Sequence, residues 1–119
     1  MAYDDELAGR LRDLLAEEPA AAGLELTEKK MFGGLGFMVG GHMAVAASGQ
    51  GGLMVRVDPA EGAELVATTP AYPMEMRGRT MSGWLRVDLA DLATDEALGT
   101  WVRRGASYVA GLPPKSPGR

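Results

Sequence analysis

Cysteine is absent from this sequence of 119 residues, and histidine occurs once, as His42. The absence of cysteine excludes a disulfide framework, a thiolate nucleophile, a zinc-finger site and an iron–sulfur cluster. With a single histidine, a His–His metal pair cannot form within one chain, and a Ser-His-Asp triad would have to include His42. We therefore expect no metal site and no cofactor.

A surplus of basic residues is also missing, because 16 Asp and Glu residues against 12 Lys and Arg residues give a net charge of -4. Proteins that bind nucleic acid autonomously usually neutralise phosphates with a basic surface, so we expect no tight autonomous binding of DNA or RNA. No apolar run approaches the roughly 18 residues of a membrane-spanning helix, and the N-terminus is acidic where a signal peptide is basic. We expect a cytoplasmic protein that does not bind membranes.

Hydrophobic residues make up 46% of the chain, which is enough for one core, and three segments carry helix signals. Leucines recur at helical spacing between residues 7 and 15. Asp58 and Pro59 have the order of an N-cap followed by a first helical position. Thr94 precedes two acidic residues and an apolar pattern of helical period that runs to Leu112. The sequence thus predicts helices at its start, middle and end.

Alternating apolar residues and glycine-rich turns predict six strands between these helices. We place them near 24–30, 35–39, 42–48, 53–57, 75–80 and 84–88, with residues 81–83 separating the last two. The order α-β-β-β-β-α-β-β-α predicts an α+β fold, a two-layer sandwich with helices on one face of a mainly antiparallel sheet. We assign residues 1–112 to one domain and residues 113–119 to a flexible tail.

Several segments together match one family. They are residues 29–37 (KKMFGGLGF), 41–43 (GHM), 53–58 (LMVRVD), 81–87 (MSGWLRV) and 101–102 (WV). In these segments, and over most of the stretch from residue 7 to 112, the chain resembles the TfoX N-terminal domain of the TfoX/Sxy competence regulators. The full-length regulators carry a second, C-terminal domain, for which the sequence after Leu112 is too short, so we expect a stand-alone N-terminal domain. Where the family often has two tyrosines, this chain has Gly83 and Trp84.

The resemblance implies an α+β, secretion-chaperone-like fold, a role in transcriptional control of DNA-uptake genes and no enzymatic activity. Its most specific part is the glycine-rich segment. That segment comprises Lys30, Met31, Phe32, Gly33, Gly34 and Gly36. It lacks the lysine of a P-loop, and Val39 stands where a dinucleotide fingerprint requires glycine. We interpret the glycines as structural, with Met31 and Phe32 in the core; the alternative is a loop that contacts a ligand.

A candidate interaction face follows from the alternation of side chains along the strands. Residues that alternate with core-facing valines and leucines point away from the helices, and we place Arg77 and Arg79 on a strand face with Glu75. The face comprises Met54, Arg56, Arg77, Arg79, Trp84 and Arg86. Such residue types are enriched at interfaces, so the face is suited to the acidic first helix of a second copy or of a partner. The alternative is that the arginines pair with nearby acids or are solvated.

Methionine is unusually frequent in the sheet region. The residues are Met31, Met38, Met43, Met54, Met74, Met76 and Met81. Most of them are expected to fill the core, although thioether side chains also form adaptable contact surfaces.

The remaining polar residues give no catalytic pattern. We interpret His42 as a solvated turn residue, because no acidic residue stands at a diagnostic spacing from it. Asp88, Asp91 and Asp95 lack the EF-hand pattern and are assigned to a loop and a helix start. The serines have no histidine or lysine at a recognisable spacing.

We therefore predict a non-enzymatic regulatory or protein-interaction module with an unidentified protein partner, and a homodimer as one arrangement. The alternative is a small-molecule-binding domain in which residues 29–36 and the arginines hold an anionic ligand.

Overall fold

The computed structural model describes residues 3–31 and 33–113 of the chain. The predicted tail therefore lies, except for Pro113, outside the described residues, as does Phe32 of the glycine-rich segment. The described residues form α1 (Asp5–Glu17), β1 (Leu26–Met31), β2 (Gly34–Val39), β3 (His42–Ala47), β4 (Leu53–Arg56), α2 (Pro59–Thr68), β5 (Tyr72–Met76), β6 (Arg79–Val87) and α3 (Asp95–Ala110). Short 3-10 turns follow α1 and β6, at Pro19–Ala21 and Leu89–Leu92. The predicted order of elements is confirmed.

The strands form one antiparallel sheet in the order β1-β2-β3-β4-β6-β5. Neighbours in sequence pair by hairpins, except that β4 pairs with β6 because α2 and β5 intervene. This arrangement confirms the predicted α+β fold with an antiparallel sheet.

Local capping explains where the helices begin. The carboxylate of Asp4 accepts a hydrogen bond from the backbone N–H of Leu7, at 2.9 Å. Asp58 caps α2 through the N–H of Ala60, and the hydroxyl of Thr94 caps α3. Each cap supplies a side-chain acceptor to an N–H group that has no partner within the first helical turn. The helix starts predicted at Asp58 and Thr94 are confirmed.

The helices cover one face of the sheet with a continuous apolar core. Leu7 and Leu11 of α1 and Leu98 of α3 are fully buried, together with Val45 and Val55 of the sheet. Burial of such side chains is the main source of stability in a domain of this size. The opposite face of the sheet is left without a helix from this chain among the described residues.

Glycine allows close packing between α3 and the sheet. A Cβ on Gly105 would lie 2.5 Å from the carbonyl oxygen of Ala44 in β3. Because real Cβ atoms do not approach an oxygen this closely, only glycine permits the observed distance between the two layers.

The last hairpin differs from the prediction. The structure joins β5 and β6 by a two-residue turn at Arg77 and Gly78, whose φ angles are 56° and 77°. Two positive φ angles are the signature of a type I′ hairpin turn. The predicted division of the strands at residues 81–83 is therefore wrong, and these residues belong to β6.

Residues 81–83 instead lie in an irregular part of β6. Pro73 pairs with Leu85 and Glu75 with Thr80, so β5 advances two residues where β6 advances five. Gly83 has a φ of 84° within this stretch. Extra residues in one strand bend it and increase its local twist, which changes the direction of the β5–β6 hairpin.

Candidate interaction groove

The face of the sheet opposite the helices carries a groove of about 500 Å³. All six strands contribute to its lining. Its methionine and tryptophan side chains are those of Met31, Met43, Met54, Met74, Met81 and Trp84. Its charged side chains are those of Glu75, Arg77 and Arg86. We refer to this cavity as the methionine groove.

Alternation along β4 and β6 directs part of the predicted interaction face into the groove. Met54 lies between Leu53 and Val55, both of which are fully buried against the helices. Trp84 and Arg86 alternate in the same way with core residues of β6. The structure therefore brings Met54, Trp84 and Arg86 together, as the period of two in a strand requires.

Arg56 is not part of the groove lining. Its guanidinium carbon lies 5.9 Å from the ring centre of Trp84 and 5.6 Å from that of Tyr108 in α3. Arg56 is the last residue of β4, and its long side chain reaches the helix layer there. Its strand position follows the predicted alternation, since its register partner is Trp84, but its guanidinium also lies within cation–π distance of Tyr108 in the helix layer.

Arg86 makes contacts with neutral partners rather than with acids. Its Nη1 and Nη2 atoms donate hydrogen bonds to the side-chain oxygen of Gln50 and to the carbonyl oxygen of Gly51, both at 2.8 Å. Its guanidinium carbon lies 5.8 Å from the ring centre of Tyr72. The Nε atom of Arg86 is buried and has no partner among the described residues. Arg86 therefore holds the turn after β3 against the wall of the groove.

Tyr72 extends this set of contacts to the end of β6. Its hydroxyl donates a hydrogen bond to a carboxylate oxygen of Asp88, at 2.7 Å. This hydrogen bond, together with burial, holds the pKa of the Tyr72 hydroxyl above its usual value.

Arg77 and Arg79 differ in their relation to the methionine groove. Arg77 lies in the turn and lines the groove, whereas Arg79 is exposed in β6 opposite Met76 and is not part of the lining. The predicted placement of Arg77 on a strand face with Glu75 is therefore wrong. The reason is that the turn lies at Arg77 and Gly78. Turns of this type are usually signalled by Asn-Gly in the sequence, and here arginine takes the place of asparagine.

The glycine-rich segment forms part of the groove floor. A Cβ on Gly34 would lie 2.6 Å from the carbonyl oxygen of Ala47, and one on Gly36 would lie 2.8 Å from the terminal methyl of Met43. Gly33 has a φ of 76°. These positions agree with a structural role for the glycines. Met31, in contrast, is half-buried and lines the groove, so its predicted place in the core is wrong.

Comparison with known proteins places this sheet and its glycine segment in one family. Residues 4–108 match the family of the TfoX N-terminal domain. The chain belongs to this family. No curated protein matches it. The match extends from the N-cap of α1 to the last turns of α3, so every strand of the groove is part of the TfoX N-terminal domain.

His42 has a structural contact in this TfoX N-terminal domain. Its Nε2 lies 2.6 Å from the carbonyl oxygen of Pro113. Since a carbonyl oxygen accepts only, Nε2 carries the proton and donates. His42 is half-buried and links Pro113, which follows α3, to the start of β3, so the prediction of a solvated turn residue is wrong.

The aspartates that follow β6 have separate partners in the domain. Asp88 accepts from Tyr72, and Asp95 forms an exposed ion pair with Arg10 at 3.2 Å. Within residues 3–31 and 33–113, no group of three or more His, Asp and Glu side chains could hold a metal ion. No helix in the described part of the chain has the length and apolar character needed to cross a bilayer.

The expectation that most sheet methionines fill the core is wrong for the four that line the groove outside the predicted face, because they come from distant strands and meet on the uncovered side of the sheet. Met31, Met43, Met74 and Met81 converge only when the sheet has folded. The one signal for them in the sequence was the high number of methionines.

Proposed function

We propose that this TfoX N-terminal domain is a non-enzymatic regulatory module that binds a protein partner in the methionine groove. The observation that carries the proposal is the convergence of five methionines and Trp84 on the uncovered sheet face. Methionine side chains are flexible and polarisable, and they are used where one surface adapts to a partner's apolar side chains. Tryptophan and arginine are the residue types that most often dominate binding energy at interfaces.

Family membership supports a competence-regulator-like domain, and from it we extend the proposal to transcriptional control of competence in the cytoplasm. A net charge of -4 favours action through a protein rather than through direct, tight contact with nucleic acid. A second copy of the chain is one candidate partner, because the acidic residues of α1 are complementary in charge to the arginines at the groove.

The polar groups in the groove support a binding role over a catalytic one. Its serine, Ser48, accepts a hydrogen bond from the backbone N–H of Gln50 at 3.1 Å. The titratable side chains that line the groove are one carboxylate and two guanidinium groups. An activated serine needs a histidine or lysine base within hydrogen-bond distance, and neither residue type lines this part of the described structure.

A small amphipathic anion is the second candidate ligand. The volume of about 500 Å³ falls within the range of small-molecule pockets, and apolar walls with a few polar groups are typical of them. In this reading an arginine of the groove would receive the anionic group.

Affinity capture with matched variants tests the proposal. We expect Met54→Gln/Met81→Gln to release the partners that the wild-type domain captures from native lysate, because polar amides replace the thioethers in the groove. The control, Ala63→Gln/Ala67→Gln, changes two exposed residues of α2 and should retain them. Retention of the same partners by the groove variant, with an unchanged melting temperature, would contradict the proposal.

A further inference from the structure

The hairpin turn at the groove contains an unusual residue. Arg77 has a φ of 56°, and it is the only non-glycine residue with a positive φ among the described residues. Asparagine, aspartate and glycine adopt this conformation at lower cost than arginine does. The hairpin itself therefore gives no reason for an arginine at this position.

The position of Arg77 relative to the groove supplies a reason. Arg77 lies at the tip of the β5–β6 hairpin and lines the same cavity as Met31, which comes from β1 at the other edge of the sheet. The hairpin thus brings a guanidinium group to the apolar groove. Side chains of arginine are suited to hold carboxylates, because their N–H groups match the geometry of the two oxygens.

The charge of Arg77 has no partner within the described residues. It forms neither a salt bridge nor a side-chain hydrogen bond there, whereas the guanidinium of Arg86 is held by Gln50 and Gly51. The groove contains two guanidinium groups and one carboxylate on a chain of net charge -4. Its lining is therefore locally positive, which favours a partner with a negative charge next to its apolar surface.

On the basis of the proposed function, we infer that the groove receives an amphipathic helix of a partner protein, with an acidic residue of that helix bound to Arg77. The apolar stripe of the helix packs on the methionines and Trp84. An extended peptide would need a free sheet edge, and the groove lies on a face whose central strands are already paired on both sides. A helix on this face gives the sheet a second covering layer.

The variant Arg77→Asn separates binding from folding. It removes the positive charge and introduces a residue that adopts positive φ more readily, so the melting temperature should stay the same or rise. The control is Arg79→Gln, which makes the same change in net charge two residues away, at an exposed position outside the groove lining. Loss of affinity in Arg77→Asn alone therefore cannot arise from unfolding or from net charge.

Two fluorescein-labelled amphipathic peptides serve as probes in an anisotropy titration. They share one leucine stripe, and they differ in carrying glutamate or glutamine beside it. The leucine stripe of these peptides need not match the sequence of a particular partner, because methionine-rich surfaces repack around different apolar side chains. We expect the wild-type domain to bind the glutamate peptide about fivefold more tightly, as one partly exposed ion pair allows. This preference should vanish in Arg77→Asn and persist in Arg79→Gln.

The groove variant Met54→Gln/Met81→Gln distinguishes failure of this inference from failure of the proposed function. Equal affinity for the two peptides, lost in the groove variant, would overturn the role of Arg77 and leave the groove as a protein-binding site. Equal affinity that the groove variant retains would overturn both. If neither peptide binds and the small apolar anion anilinonaphthalene sulfonate binds in its place, the helical partner is overturned in favour of a small ligand.

Discussion

The terminal methyl group of Met43 lies over Gly36, 2.8 Å from the position that a Cβ on Gly36 would occupy. The neighbouring glycine of the same strand, Gly34, faces backbone instead, with the carbonyl oxygen of Ala47 at 2.6 Å. A flexible side chain can move away from an added methyl group, whereas a strand backbone cannot do so without disturbing the sheet. The two glycines therefore differ in what they contribute, although both belong to one sequence motif.

We predict that Gly34→Ala lowers the free energy of unfolding by about 1–3 kcal/mol, because the methyl group would collide with β3. Gly36→Ala should lower it by about 1 kcal/mol or less, since Met43 can adopt another rotamer. Urea denaturation followed by circular dichroism measures both. Equal losses in the two variants would show that the backbone contact at Gly34 is not the distinguishing feature.

Arg86 gives a second prediction, which differs from the expectation based on sequence. The alternative that the strand arginines are solvated implies that reversing the charge of Arg86 leaves the fold intact, because exposed charges contribute little to stability. In the structure, Arg86 donates to Gln50 and Gly51 and has a buried Nε. We expect Arg86→Glu to destabilise the domain by about 2 kcal/mol, because the turn loses its donors and a carboxylate replaces them.

The control for Arg86→Glu is Arg79→Glu, which makes the same charge change at an exposed position of the same strand. It should alter the melting temperature little. A melting temperature equally unchanged in Arg86→Glu would mean that its hydrogen bonds add nothing to stability.

The ion pair between Arg12 and Glu28 predicts a dependence of stability on pH. The hydrogen bond from Arg12 is the main cause that holds the pKa of Glu28 below its usual value of 4.5. A carboxylate with a lowered folded-state pKa stabilises the fold above its unfolded pKa, and this contribution is lost as the pH falls through the folded value. The difference in melting temperature between wild type and Glu28→Gln should therefore be present at neutral pH, diminish as the pH falls below the usual pKa and disappear below the lowered, folded-state pKa of Glu28. A difference that is constant with pH would show that the pair is not coupled to folding.

Local signals made the helices and most strands predictable, but they did not reveal the groove. Asp58 and Thr94 cap helices through contacts within three residues, so a short window of sequence contains the whole interaction. The turn at Arg77 carries only a weak signal, because arginine is uncommon at positive φ. Convergence of Met31 with Met81 depends on the pairing of six strands and on the irregularity in β6, which no local pattern encodes.

The charge of the chain gives a prediction about nucleic acid. With a net charge of -4, and with Asp5, Asp13 and Glu17 exposed on α1, the domain should not bind duplex DNA tightly at physiological salt. Fluorescence anisotropy of a labelled duplex at about 150 mM salt is expected to show no saturable binding below micromolar concentrations. A submicromolar dissociation constant for duplex DNA would contradict this prediction, because it would require a basic surface whose attraction outweighs the repulsion from the acidic residues.

Oxidation of methionine supplies the most direct test of how the groove binds. Hydrogen peroxide converts thioethers to polar sulfoxides, and the half-buried residues Met43, Met54 and Met81 should react before any side chain in the core of the domain. We expect oxidised protein to retain its helical circular dichroism signal, because the helix-facing core contains leucine and valine instead of methionine. The same oxidised protein should lose affinity for the glutamate peptide. In a variant with all five groove methionines replaced by leucine, binding should resist peroxide, since leucine keeps the surface apolar and cannot be oxidised in this way. Mass spectrometry would establish which residues carry oxygen. Undiminished affinity after oxidation of all three would mean that the thioethers do not form the binding surface.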